Sequence, residues 1–146
     1  MHSTSRPTTP LSSSGRAAAG LTLLAMIGIE LGGNYVLDIS RGKLPATEFQ
    51  TTFARTGHGH AGALATLGLA GSLLAEHTAL PGPARQFARW SIPAASVLMP
   101  AGFFLSSMGK DRTEPNRLMG LVYVGAGVLA AGLGTLGVGL LAAARR

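Results

Sequence analysis

Two histidines, His58 and His60, stand two residues apart in Arg55-Thr-Gly-His-Gly-His-Ala-Gly, at the head of a long apolar run. An imidazole can ligate a metal, shuttle protons or titrate near neutral pH. Inside an apolar, membrane-length segment it is costly unless partnered. A second polar pair, Glu30 and Asn34, lies in the preceding apolar run. Four residues apart, the two share one helix face. An acid at that depth must be protonated, paired or close to headgroups. The pair would line a polar pocket facing a bundle interior, or make an interhelical hydrogen bond.

Residues two apart on an ideal helix point ~200° from each other, so His58 and His60 cannot both reach one metal from within a helix. One would ligate while the other caps the helix or meets solvent. Gly57, Gly59, Ala61, Gly62 and Ala63 leave open surface beside the rings. A flat macrocycle could lie there, and haem iron is commonly held by a single histidine. Zinc would want three or four ligands, and His2 and His77 lie too far away in the expected topology. The plainer alternative is an interfacial pair bonded to headgroups and loop carbonyls. The chain has no cysteine, so it offers no thiolate ligand, disulfide or thiol nucleophile.

The elements that must position these groups follow from composition. Charged residues make up 12% of the chain and hydrophobic residues 47%. Soluble domains carry about 25% charged residues. The charges cluster, and between the clusters lie runs of roughly 20 apolar residues, each long enough to cross ~30 Å of hydrocarbon. No alternating pattern suggests a β-barrel. The expectation is an all-α integral membrane four-helix bundle, with spans near 16–37, 58–78, 89–108 and 118–143. The net charge of +6 does not call for nucleic acid, because Arg and Lys sit at the ends of the runs, where headgroups lie.

Residues 1–15, rich in Ser, Thr and Pro, read as a disordered tail. Gly28 and Gly32 would permit close helix approach. A long loop from Asp38 to Arg55 follows, with Leu44–Phe49 as an interfacial turn over the bundle mouth. Glu76 and His77 would be solvated at the far interface. Pro93 and Pro100 would kink the third helix, with Ser96 and Ser106 satisfying freed carbonyls. Ala126, Ala130 and Gly134 would form a tight packing face in the fourth, within the bundle or between copies of it. Lys and Arg divide evenly between the two sides. The lack of offsetting acids on the N-terminal side favours cytoplasmic termini in a cell (inner) membrane, with the histidine end facing outward.

Several stretches share a pattern. Phe53-Ala-Arg leads into His60-Ala-Gly62; Leu31-Gly32-Gly33 falls late in the first helix; Gly102-Phe103-Phe104-Leu105 lies in the third; Pro115-Asn116-Arg117 lies in the next loop. In these the chain resembles styrene oxide isomerase, a small four-helix membrane enzyme. The resemblance implies a trimer with haem b between subunits, and iron held by His60, with His58 as the alternative. It also implies ferric haem acting as a Lewis acid on an epoxide, such as a small aryl epoxide, to give an aldehyde without net redox change. The family's Asn, Asp and Tyr fall at Thr66, Ser96 and Phe104, so its polar partners are weakened or lost; with Glu30 and Asn34 these three would line the pocket of an isomerase-like enzyme. The resemblance therefore bears on fold and haem more than on isomerase activity. A non-catalytic haem binder or sensor, or a cofactor-free membrane module, remains an alternative to the enzyme.

Overall fold

The computed structural model describes residues 11–145. It consists of α1 (Ser13–Ser40), α2 (Glu48–Leu74), α3 (Gly82–Ser107) and α4 (Gly120–Ala144), with short 3-10 turns at Ala75–His77 and Arg117–Met119. There is no strand among the described residues. The expected all-α, four-helix architecture is therefore present. Most of the expected tail, residues 1–10, lies outside the described residues. Its end is already helical, because the Ser12 side chain caps α1 by accepting from the Gly15 amide.

The second helix departs from expectation. It starts at Glu48, ten residues before His58, so the long loop shrinks and both histidines sit well inside a helix. The cause is a capping box. The Thr47 hydroxyl accepts from the Gln50 amide, and the Gln50 side chain accepts from the Thr47 amide, 3.1 Å each. Each bond satisfies a donor that a helix start otherwise leaves unpaired. Glu48, in the first turn, complements the positive helix end. Of Leu44–Phe49, only Leu44 to Thr47 precede the helix; Glu48 and Phe49 are its first residues.

Gln50 also joins two elements. Its Nε2 donates to the carbonyls of Ser107 (3.0 Å), the last residue of α3, and Gly109 (2.8 Å), just beyond it. The Thr47 hydroxyl donates to the Arg112 carbonyl. Asn116 finishes the same corner, donating from Nδ2 to Leu105 O and accepting from the Leu118 amide. Gln50→Ala is expected to cost about 1–2 kcal/mol in denaturant unfolding, the usual range for a lost cap with its bonds.

α3 lies between α2 and α4, while α1 packs mainly on α2 and touches α3 lightly. Gly125, Gly132 and Gly139, each seven apart, let α4 close on its neighbours. A Cβ on Gly125 would stand 2.6 Å from Met99, one on Gly139 2.6 Å from Leu80, and one on Gly132 would overlap Ser91. In return, a Cβ on Gly102 of α3 would stand 2.7 Å from the Val122 amide. The expected small face of Ala126, Ala130 and Gly134 is not used within the chain: all three are exposed, which leaves only contact between copies for it. Gly28 and Gly32 do not bring helices together either: no atom lies within 4 Å of a Cβ on Gly28, and only His58 Nδ1, at 3.9 Å, approaches one on Gly32. The core has two centres, Ile92 with Ala75, Ala88 and Leu136, and Leu64 with Met99 and Val122.

Ser96 and Ser106 donate to the carbonyls of Pro93 (2.7 Å) and Phe103 (3.3 Å), three residues back on their own helix. These are not the carbonyls that the prolines free. Two segments, α1 and Arg117–Ala144, are long and apolar enough to cross a membrane. α2 and α3 are as long but interrupted by polar residues such as Arg55, His58 and Arg89.

Glu76 is not simply solvated. Its Oε1 lies 3.0 Å from Nη2 of Arg89, whose side chain is only 2% exposed. Ser12 donates to the same oxygen at 2.6 Å. The Ser12 hydroxyl, with help from Arg89 and Arg85, holds the Glu76 carboxyl below its ordinary value against the opposing effect of burial. A depressed native pKa stabilises the fold above the unfolded value, and this contribution disappears as pH falls through the native one. Stability is therefore expected to decline as pH drops below about 4.5. Glu76→Gln should flatten that limb of a stability-against-pH series.

Candidate functional site

The two histidines flank a strip of α2. His60 Nδ1 lies 2.9 Å from the Thr56 carbonyl. A carbonyl can only accept, so Nδ1 carries a proton, and in the neutral ring the lone pair is on Nε2. No hydrogen bond reaches that Nε2 among the described residues. The ring packs against Phe103, with centroids 5.2 Å apart, and Phe103 in turn meets Phe53 edge-on. Beside it runs a strip of small residues: Gly59, Gly62, Ala63 and Thr66. Gly59, Ala63 and Thr66 are exposed, and a Cβ on Gly59 or Gly62 would meet nothing within 4 Å. Thr66 turns its hydroxyl back to Gly62 O at 3.0 Å. Helix geometry thus gives His60 a bare, flat neighbourhood.

His58 points the other way, as a two-residue step on a helix demands. Its ring lies along the backbone of α1. A Cβ on Gly33 would stand 3.1 Å from Cε1 and 3.3 Å from Nε2. A side chain at Gly33 would press on the ring, whereas one at Gly32 would make only ordinary contact with it at 3.9 Å. His58 and Ala61 help line a cavity of about 220 Å³ shared with Gly28, Ser96, Pro100 and Phe104. A larger cavity of about 630 Å³ continues from it toward Tyr35, Pro45 and Gln50. Gly28, Gly32 and Phe104 border both, so they form one groove between α1 and α3. Tyr35 and Phe104 meet edge-on at 6.2 Å in its wall.

The groove brings together two of the expected pocket residues, Ser96 and Phe104, with His58, the alternative ligand. Glu30 and Asn34 stay outside it. Both are exposed, because Glu30 is two residues from both Gly28 and Gly32 and so faces roughly the opposite way. The expected interior pocket around Glu30 and Asn34 is therefore not formed within one chain. Nor do His60 and Thr66 meet Ser96 and Phe104: the first pair lies on the outer strip of α2, the second in the groove. No group of three or more His, Asp or Glu side chains converges among the described residues. Sequence reasoning missed the groove as a feature, although Gly28-x-x-x-Gly32-Gly33 on one helix and a histidine on the next were its signal.

No family model, curated protein or solved structure matches this chain.

Proposed function

We propose that the chain is a multi-pass membrane protein that binds haem b, with His60 as the iron ligand. Membrane integration is supported by α1 and α4, which expose large apolar side chains along their length, among them Leu24, Ile27, Leu31, Tyr123 and Val138. A water-soluble monomer rarely exposes apolar patches of that extent. The observation that carries the haem reading is the state of His60. An imidazole whose Nδ1–H is bonded to a carbonyl presents a fixed Nε2 lone pair, the arrangement that histidine ligands favour. Gly59, Gly62 and Ala63 beside it leave room for a flat ring.

The separation of His60 from Ser96 and Phe104 favours a homo-oligomer, in which the groove of one copy covers the His60 strip of the next. A trimer, as the resemblance implies, is the expected form, in the cell membrane with cytoplasmic termini. When bound, ferric haem supplies a Lewis acid able to polarise an epoxide oxygen. The groove would take a small aryl epoxide by apolar contact with Phe104, Val97 and Pro100 and would exclude water. Ser96 is committed to Pro93 O, which leaves His58 and Tyr35 as the proton-handling side chains of the groove.

The test is detergent-purified protein from haem-sufficient expression. A Soret band at one haem per chain is expected, and colourless protein would refute the reading. Conversion of an aryl epoxide to its aldehyde by the coloured protein would make it an isomerase. Full haem loading without turnover would leave a haem binder or sensor.

A further inference from the structure

A second pocket lies at the opposite end of the bundle, away from both histidines. Its volume is about 260 Å³, and Arg85, Arg89, Glu76, Ser14 and Gly82 help to line it. Arg89 is buried, with Nη2 on Glu76 and Nη1 donating to Gln86 Oε1 at 2.8 Å. Its Nε is buried with no hydrogen-bond partner among the described residues. A buried N–H of a charged group left unpaired is costly, so this Nε favours an acceptor beyond the described residues. One turn earlier on α3, Arg85 is partly buried and forms no ion pair among the described residues.

α3 also begins at this pocket. Its cap residue Pro81 offers no side-chain acceptor, and its first turn holds no acid. A Cβ on Gly82 would meet nothing within 4 Å. The positive end of a 26-residue helix is therefore open toward the pocket. Two guanidinium groups face one carboxylate, which leaves a net positive charge beside that helix end.

We propose that this pocket binds a phosphate group, held by Arg85, by the unpartnered Nε of Arg89 and by the opening turn of α3. Guanidinium forks match the paired oxygens of a phosphate, and the ligand's charge offsets the excess that Glu76 leaves. The group could arrive on an anionic phospholipid or as free phosphate. On the membrane reading, which this part of the proposal rests on, the pocket lies where headgroups are. The oxyanion site itself does not depend on haem.

The experiment is thermal unfolding of the purified full-length chain in a zwitterionic detergent. Inorganic phosphate is compared with chloride at equal ionic strength, and phosphatidylglycerol with phosphatidylcholine. Phosphate, phosphatidylglycerol or both should raise Tm. Arg85→Gln should weaken the apparent affinity by about tenfold or more, the scale of lost charge-assisted bonds, and Arg85→Lys should weaken it less. A response to phosphatidylglycerol alone identifies a lipid, and a response to phosphate alone identifies the free ion; either supports the site. No response to either ligand, or an undiminished response in Arg85→Gln, would overturn it. Because the assay reads Tm rather than colour, a chain that binds no haem can still pass.

Discussion

Replacing His60 with alanine is expected to abolish the Soret band of haem-loaded protein, while His58→Ala keeps it. Changing an outer-shell partner of a metal ligand costs about 10–100-fold in affinity, so loss of the ligand itself should cost at least ~100-fold. Truncating His60 removes the free Nε2 and also a ring packed on Phe103. A fold control is therefore needed, and unfolding of the two variants side by side supplies it. His58→Ala should loosen the contact with Gly33 without removing an iron ligand. Its effect belongs to the groove, in substrate affinity if the protein is an enzyme. Thr66→Leu adds a second reading. It fills the exposed strip beside His60 without touching the imidazole, so haem affinity should fall while the fold stays intact. If colour survives His60→Ala but is lost in His58→Ala, the ligand sits in the groove and the outer strip is only surface.

The four helices were legible because long, largely apolar runs alternate with charged clusters, and Pro81-Gly82-Pro83 marks a break. The opposite headings of His58 and His60 were legible too, since the helical repeat alone requires them. The start of α2 was missed although its signal was present. Thr47-Glu48-Phe49-Gln50 is a capping box, but the apolar run begins later, and the polar turn from Thr51 to Arg55 hid the connection between them. Hydrophobicity marks where lipid or core begins, not where a helix does. The glycine faces of α4 were ambiguous for another reason. Gly120, Gly127 and Gly134 form a second glycine stripe with the same seven-residue spacing. What selects Gly125, Gly132 and Gly139 is the shape of Met99, Ser91 and Leu80 across the gap, a tertiary fact that spacing does not contain. The same holds for Glu30, whose helix face became clear only once α2 was seen to occupy the glycine side.

Glu76→Gln should produce the largest loss of stability. Removing one partner of a buried ion pair costs about 3–5 kcal/mol, because the other charge is left uncompensated. Glu76 is 17% exposed at its side chain and Arg89 2%, so most of the penalty falls on the arginine, and the lower end of that range is expected. After the change, Arg89 keeps only neutral partners, Gln86 and the new amide oxygen, and its Nε has no partner among the described residues. The exposed pair Lys43–Asp38, at 61% and 41%, is the internal control. Lys43→Ala should cost less than about 1 kcal/mol, since water screens that pair. The double change Glu76→Leu with Arg89→Met separates burial from attraction. A buried pair replaced by apolar residues of similar size is often near neutral, so the double variant should recover most of what Glu76→Gln loses. Chemical unfolding of the single and double variants measures all of these differences. If Glu76→Gln costs no more than Lys43→Ala, Arg89 reaches water at that end of the bundle, and the geometric case for an unfilled acceptor beside its Nε weakens with it.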